Sequence, residues 1–317
     1  MPSFRFILAT GMASSLGATA TARQLWNFTS YVDIENTSLR PNGQVLMTTF
    51  TNASLYTLDP TSSSPSAELV ASFAPSTALT GIASVGNDKF ALIGGVRGSY
   101  MYTNETVYTC DFSAGSEPAI EVVATLPDAV MLNGMASLPQ NPAVVLIADS
   151  RVGAVWRVNT TDGDVAIAYQ GDLLLPPENA TVPIGINGLK ISNGYVYFTN
   201  TAKNLFARIA VTDDGVIHGE VETVAILVSG EEEYDWDDFV IDASGEIAYM
   251  AQSPNAVGKV IIGTGEMDVI AGVGNDTTSL IGPTSVALAK DGVTAYVSTR
   301  GTQSSGISGQ LVEVSLA

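Results

Sequence analysis

Six polar residues recur at comparable places along the chain, and four of them are of types that bind cations or move protons. Each opens a segment built of a short apolar strand, a turn with Gly, Asn, Asp or Pro, and a second β-rich strand. They are Glu35, Thr80, Asn133, Asn187, Asp237 and Thr284. Carboxylates and amides gathered at one point need a cation or a hydrogen-bonding ligand to offset their repulsion and lost solvation. Such all-oxygen ligands suit calcium or magnesium, and the alternative is a water-filled polar channel.

The elements that must position these residues repeat about every 50 residues, and a period of this size with four strands per unit is typical of propeller blades. Six repeats predict an all-β fold, a six-bladed β-propeller with four-stranded blades around a central channel. The innermost strand of each blade begins at the channel mouth, so the six residues are predicted to converge on one axis. Segments 25–33 and 309–317 are predicted to pair and close the ring, because an unpaired edge strand invites aggregation.

Composition agrees with many short strands and limits the partners. Hydrophobic residues make up 46% of the 317 residues and charged residues only 14%. A net charge of −19 repels phosphate backbones and anionic lipid heads, which excludes nucleic acid as a favoured partner. The only histidine, His218, is predicted to lie on an outer strand, so histidine triads and zinc sites are not expected.

The amino terminus predicts targeting to the secretory pathway. Residues 1–22 combine Arg5, a mildly apolar stretch and a small-x-small ending, which is typical of a cleaved signal peptide. Residues 23–317 then form a single domain, which is expected to be secreted with no membrane span. Predicted N-glycosylation sites are Asn27, Asn36, Asn52, Asn104, Asn159, Asn179 and Asn275.

The six repeats, the polar ring and the stretch "ADSRVGAVWRV" (148–158) together resemble the regucalcin/gluconolactonase family of six-bladed propellers. The resemblance implies that Glu35, Asn187 and Asp237 hold a divalent cation and that Asn133 contacts substrate or water. It also implies that Asp237 is the general base of lactone hydrolysis. Met131 stands where many lactonases of the family have Arg, and Trp236 replaces a Pro. Both changes favour an apolar, aromatic-compatible ligand over a sugar lactone.

The signal followed by "ENTSLRPNGQVLMTTFTNASLYTLDP" is similar to a fungal branch of this family that acts in secondary metabolism. The resemblance implies a hetero-Diels-Alderase that joins a tropolone-derived quinone methide to the sesquiterpene humulene and forms a dihydropyran ring. That reaction needs no cofactor and no covalent nucleophile; it needs two apolar partners in a near-attack geometry and a donor or Lewis acid on the enone oxygen.

Further residues are predicted to contact the substrates at the channel mouth. Tyr234 and Trp236 run directly into Asp237, although a solvated acidic loop is the alternative for "EEEYDWDD". Some of the residues at the ends of the inner hairpins, such as Lys203 and Arg300, have cationic side chains that could donate a hydrogen bond to a tropolone oxygen. The predicted substrate-binding residues are Trp236, Tyr234, Met131, Phe50, Lys203, Arg300 and Thr284. Three functions remain open: a [4+2] cyclase, a metal-dependent lactonase and a binding propeller without catalysis.

Overall fold

Six four-stranded antiparallel sheets surround a common axis, which confirms the predicted propeller. A computed structural model describes residues 21–113, 115, 117–228, 234–272 and 280–316. Residues 1–20 lie outside the described residues, so the predicted signal peptide remains a prediction. Among the described residues no helix is long and apolar enough to cross a membrane.

The strands follow one another blade by blade, from the axis outwards. Blade 1 comprises β2 (Ile34–Leu39), β3 (Val45–Thr49), β4 (Ser54–Leu58) and β5 (Glu68–Ser72). Blade 2 comprises β6 (Ala78–Gly86), β7 (Lys89–Arg97), β8 (Tyr102–Asp111) and β9 (Ala119–Thr125). Blade 3 comprises β10 (Leu132–Ser137), β11 (Val144–Asp149), β12 (Ala154–Asn159) and β13 (Val165–Gln170).

The second half of the ring repeats the arrangement. Blade 4 comprises β14 (Ile186–Ser192), β15 (Tyr195–Asn200), β16 (Leu205–Val211) and β17 (Ile217–Ile226). Blade 5 comprises β18 (Asp235–Ile241), β19 (Ile247–Ser253), β20 (Ala256–Ile261) and β21 (Glu266–Ala271). Blade 6 comprises β22 (Pro283–Leu288), β23 (Thr294–Thr299), β24 (Gln310–Ser315) and β1 (Ala22–Asn27). Within the described part of the chain, the short 3-10 helices Thr201–Lys203 and Gln303–Ser305 follow the second strands of blades 4 and 6.

The two ends of the chain close the ring as predicted, although the first strand lies earlier than the sequence suggested. Strand β1 pairs antiparallel with β24, from Ala22 opposite Val314 to Asn27 opposite Gln310. Arg23 adds two hydrogen bonds to Glu313, at 3.1 and 3.0 Å. The closing strand therefore begins at the last residue of the predicted signal peptide.

Alternating apolar residues place the core between neighbouring blades. In the cluster between blades 3 and 4, Leu146, Ile186 and Phe198 are almost fully buried. The outermost strands are mostly exposed, as in β9 and β13. Burial of an aliphatic or aromatic side chain stabilises the fold by about 1.5 to 3 kcal/mol, so the ring is stabilised mainly at the blade interfaces.

Each inner strand has a register irregularity close to its polar first residue. Such a bulge places two residues opposite one and redirects side chains. Three of the residues that follow the polar ring are Gly81, Gly134 and Gly188. A Cβ on Gly134 would lie 2.3 Å from the Asn187 carbonyl oxygen, so glycine is what lets neighbouring inner strands approach this closely.

Below the polar ring, a hydrogen-bonded tier crosses the channel. Asp238 accepts hydrogen bonds from Asn36 Nδ2 at 3.0 Å and from Lys190 Nζ at 2.5 Å. Ser285 Oγ donates to Asn36 Oδ1 at 3.0 Å. No described residue lines both the cavity above this tier and the depression of about 640 Å³ below it. The tier therefore separates the two ends of the channel.

Candidate functional site

A cavity of about 540 Å³ occupies the upper end of the channel. Five of the six predicted ring residues line it: Glu35, Asn133, Asn187, Asp237 and Thr284. Phe50, Met131 and Arg300 line the same cavity, as the sequence predicted for substrate-binding residues. Residues separated by up to 249 positions are thus brought together by the blade geometry, since Glu35 and Thr284 open the first and the last repeat.

Thr80 departs from the predicted ring. Its hydroxyl donates a hydrogen bond to the Leu132 carbonyl at 3.0 Å, and the side chain is buried outside the cavity lining. The hydroxyl of this inner-strand residue finds its hydrogen-bond acceptor on the backbone of the neighbouring blade, so Thr80 links blade 2 to blade 3.

Asn187 and Asp237 form a hydrogen-bonded pair on the cavity floor. Asn187 Nδ2 donates to Asp237 Oδ1 at 2.7 Å and to Thr201 Oγ1 at 2.8 Å. Thr201 opens the short helix after β15, and its hydroxyl donates to the Trp236 carbonyl at 2.9 Å. The amide oxygen of Asn187 is buried and has no hydrogen-bond partner among the described residues. An acceptor oxygen therefore remains available to a ligand.

That available oxygen fits the predicted cation site. Among the described residues no group of three or more His, Cys, Asp or Glu side chains has metal-binding geometry. A cation would therefore need the amide oxygen of Asn187 beside the carboxylates of Glu35 and Asp237. Three hard oxygen donors suit calcium or magnesium better than a soft metal. The cation nevertheless remains a prediction.

Burial raises the pKa of three carboxyl groups in the cavity, those of Asp237, Glu35 and Asp33. Burial, followed by the charge of Asp235, raises the pKa of Asp237 to about 8, although Arg300 opposes the shift. Burial, followed by the charge of Asp237, raises the pKa of Glu35 well above its usual range. Burial also raises the pKa of Asp33 to about 6 against the effects of Arg97 and Arg300. The floor can thus donate as well as accept hydrogen bonds at neutral pH.

Two arginines face these acids from the rim. The Arg97 guanidinium carbon lies 3.8 Å from the centre of the Phe50 ring, and Arg97 Nη1 donates to the Phe50 carbonyl at 3.4 Å. Arg300 follows β23 and packs over Gly282, where a Cβ would lie 2.7 Å from Arg300 Cγ. The ion pairs between described residues include neither arginine. Both can therefore bind an oxygen anion from a ligand.

The cavity has two unlike sides. Blades 5, 6 and 1, together with Arg97 of blade 2, contribute its charged groups. Met131 of blade 3 and the residues Val182 and Ile184 before blade 4 form an apolar side. Because blades 3 and 4 lie across the ring from blades 6 and 1, these surfaces face each other. Asn133 and Asn187 also come from blades 3 and 4, and Phe50 adds an aromatic ring to the charged side, so the predicted apolar mouth is present only in part.

Trp236 does not line the cavity, so its prediction as a substrate contact was wrong. It is 1% exposed, packs edge-on against Phe206 at 6.4 Å and donates from Nε1 to Gln252 Oε1 at 3.1 Å. Successive strand residues point to opposite faces, so Trp236 turns into the core while its neighbours Asp235 and Asp237 face the cavity.

Lys203 and Tyr234 also lie outside the described cavity lining. Lys203 Nζ donates to the Asp172 carbonyl at 2.6 Å, so this cation stabilises a loop of blade 3 and is not available at the mouth. Tyr234 adjoins residues 229–233, which lie outside the described residues. Neither placement supports the predicted substrate contact.

Several lining residues were not anticipated as ligand contacts, although the sequence holds a signal for some of them. Asp33 and Asp235 each lie two residues before a ring residue, the same spacing as that of the predicted contact Met131 from Asn133. Residues i and i+2 of a strand share a face, so this spacing could have identified the two acids. Val182 and Ile184 come from the loop before β14, and no strand periodicity identifies them.

The predicted glycosylation sites differ in accessibility. Asn36 is 4% exposed and bonded to Asp238 inside the channel, so the folded protein cannot carry a glycan there and the prediction for Asn36 was wrong. Asn159 is half-buried, and Asn275 lies outside the described residues. The exposed sites are Asn27, Asn52, Asn104 and Asn179.

Two curated proteins are similar in sequence over most of the chain. A protein of a Phoma species named "Putative hetero-Diels-Alderase" is 28% identical over 283 residues, covering 81% of this chain and 79% of that protein. "Putative hetero-Diels-Alderase asR5" of Sarocladium schorii is 25% identical over 298 residues, covering 83% of this chain and 73% of that protein. No protein-family model matches the chain.

Solved structures share the fold at low sequence identity. Regucalcin from Agrobacterium tumefaciens, described as a calcium-binding protein, is 15% identical with a TM-score of 0.63, covering 93% of this chain and 95% of that one. A gluconolactonase from Xanthomonas campestris is 12% identical with a TM-score of 0.64, covering 94% and 90%. The chain is therefore a six-bladed propeller with the fold of regucalcin and gluconolactonase, and its sequence is similar to proteins named as putative hetero-Diels-Alderases.

Proposed function

We propose that the protein is a hetero-Diels-Alderase of fungal secondary metabolism that joins a tropolone-derived o-quinone methide to humulene. The two-sided cavity is the observation that supports this function best. An oxygenated heterodiene suits the charged side, and a hydrocarbon suits Met131, Val182 and Ile184. The names of the two curated relatives support the same reaction class.

The proposed reaction needs no covalent bond between the protein and its substrates. The C=C–C=O unit of the quinone methide adds to one C=C bond of humulene, so that one C–C and one C–O bond form and a dihydropyran ring closes. No proton is transferred and no group leaves. Holding the two reactants in a near-attack geometry can lower the barrier by about 7 to 11 kcal/mol. Blades on opposite sides of the ring would hold one reactant each.

The heterodiene oxygen gains negative charge as its π system accepts electrons from the alkene. Arg97 and Arg300 would place guanidinium donors near that oxygen or near the tropolone oxygens. Glu35, Asn187 and Asp237 would hold a divalent cation, which when bound supplies Lewis acidity to a ligand oxygen. The cyclase reaction does not require it, since the arginines offer positive charge.

A divalent-metal-dependent lactonase of the gluconolactonase type is the second candidate. The buried pair of Asn187 and Asp237, 2.7 Å apart, favours it. A carboxyl whose pKa is about 8 is suited to proton transfer near neutral pH. Met131 disfavours sugar lactones as substrates, because its side chain donates no hydrogen bond to a hydroxylated ligand.

Incubation of the protein with a tropolone quinone-methide precursor and humulene tests the proposal. We expect a higher yield, or a single stereoisomer, relative to the enzyme-free reaction. Arg300→Ala should lower kcat/KM by about 10- to 100-fold, whereas Arg23→Ala on the closing strand should not. Product yield and stereochemistry equal to those of the enzyme-free control would reject the cyclase.

The same preparations discriminate the lactonase. Chelator-sensitive hydrolysis of lactones that is abolished by Asp237→Ala would assign that function instead. Lactone turnover that survives Asp237→Ala would remove the role of this carboxyl as general base.

A further inference from the structure

Tyr102 occupies a fixed position in the wall of the upper cavity. It is the first residue of β8, and its backbone N–H donates to the Val130 carbonyl at 2.8 Å. The ring packs edge-on against Phe50, with centroids 6.0 Å apart, and the residue is 5% exposed. Packing and backbone bonding therefore hold the phenol in place on the border between blades 1 and 2.

The hydroxyl of Tyr102 lacks any hydrogen-bond partner among the described residues, although it is buried. Leaving a buried polar group unsatisfied costs about 1 to 3 kcal/mol, so such groups generally have an unobserved partner. Tyr102 lines the ligand cavity. A bound ligand is therefore the natural partner of this oxygen.

The surroundings of the hydroxyl determine which kind of partner it can take. Burial, followed by the proximity of Glu35, raises the pKa of Tyr102 above its usual range, while Arg97 opposes the shift. The phenol thus keeps its proton and can donate at neutral pH. A ligand oxygen placed here lies near the positive charge of Arg97, which favours an acceptor that becomes more negative.

We propose that Tyr102 is a catalytic hydrogen-bond donor to the carbonyl oxygen of a conjugated ketone bound in the upper cavity. This inference rests on the proposed [4+2] function, in which that carbonyl belongs to the heterodiene. The hydrogen bond strengthens as the oxygen gains charge, so Tyr102 lowers the barrier more than it tightens binding. Its role is separate from the acids and amides of the floor.

Tyr102→Phe removes one oxygen atom and keeps the ring against Phe50. The matched control is Tyr108→Phe in the same strand, which removes a buried hydroxyl that bonds Ser76 Oγ at 3.1 Å outside the upper cavity. We expect Tyr102→Phe to lower kcat for adduct formation by about 10- to 100-fold with little change in the KM for the alkene. Tyr108→Phe should keep the wild-type kcat. A wild-type kcat in Tyr102→Phe overturns the proposal.

A binding measurement tests the donor without relying on turnover. Tropone, a stable conjugated ketone, is added to each variant and its carbonyl stretch is followed by infrared spectroscopy. The band should lie at a lower frequency in the wild type and in Tyr108→Phe than in Tyr102→Phe, because a hydrogen bond weakens the C=O bond. Equal frequencies in all three, or no tropone binding by the wild type, would overturn the proposal. Absence of adduct formation by the wild type would instead reject the cyclase and leave the infrared comparison to decide the role of Tyr102.

Discussion

At the scale of single residues, paired positions on one strand face explain much of the cavity. Asp33 with Glu35 and Asp235 with Asp237 place four acidic residues in one lining. The sequence predicted the second member of each pair from its place in the repeat. It did not predict the first, because Asp33 precedes the apolar hairpin pattern and Asp235 lies in an acidic loop sequence.

Trp236 shows the opposite limitation at this scale. Its size and its position beside Asp237 suggested a ligand contact, yet strand alternation directs it into the core. Composition alone does not give the direction of a side chain. Once the start of β18 is known, alternation does.

Glu105 carries a residue-scale prediction about stability and pH. It is buried, and Oε1 accepts a hydrogen bond from the Leu132 N–H at 2.7 Å. Burial raises its pKa to about 8, the Leu132 N–H opposes this shift and Asp149 adds to it. The folded state thus binds the proton more tightly than the unfolded state, so the stability contributed by this carboxyl is complete below about pH 4.5. That stability is lost as the pH rises through 8.

Glu105→Gln removes the titration and retains an acceptor for Leu132. The free energy of unfolding of the wild type, relative to that of the variant, should fall by about 4 kcal/mol between pH 5 and pH 9. Denaturant unfolding across this range measures the difference. Glu121→Gln, on the exposed strand β9 of the same blade, serves as the control. A difference that does not change with pH would contradict the expected burial of a neutral Glu105.

At the scale of strands, the hairpins and their period were predictable, whereas the bulges were not. The bulge at each inner strand lets consecutive residues contribute to two levels of the channel, as Asp237 does above and Asp238 below. The simple alternation of side chains along a strand places neighbouring residues on opposite faces. It therefore does not predict the hydrogen-bonded tier of Asn36, Lys190, Asp238 and Ser285.

Gly188 gives a strand-scale prediction. A Cβ at this position would lie 2.5 Å from Asp238 Oδ1 and 2.7 Å from Asp238 Cα. Gly188→Ala should therefore push β14 and β18 apart and lower the free energy of unfolding by about 1 to 3 kcal/mol. Thermal and denaturant unfolding provide the measurement. Gly263→Ala, where a Cβ meets nothing within 4 Å, should change stability little; equal effects of the two substitutions would contradict the packing argument.

At the scale of the whole molecule, the repeat fixes the number of blades and the charge limits the partners, but neither selects a ligand. The two facing sides of the cavity arise from single residues such as Met131 and from the loop that carries Val182 and Ile184. A repeat pattern reports what the blades share. Ligand choice depends on what distinguishes them.

Secretion is proposed for the whole protein and gives its own prediction. Expression in a eukaryotic host should yield secreted protein that starts after Ala22, with glycans confined to exposed sites such as Asn27, Asn104 and Asn179. Peptide mapping after enzymatic deglycosylation in heavy-oxygen water identifies the modified residues. Asn36 serves as the internal control, because it is buried in the channel. A glycan on Asn36 in folded protein, or retention of the intact amino terminus inside the cell, would contradict this proposal.

The hydrogen-bonded tier around Asp238 has a kinetic consequence for a reaction that makes one molecule from two. Asn36 and Lys190 close the lower end with Asp238, so in the proposed cyclase the adduct would leave through the opening by which both reactants enter. A bulky product blocks that opening until it dissociates. Product release should then limit turnover at high substrate concentrations. Added product should compete with both reactants.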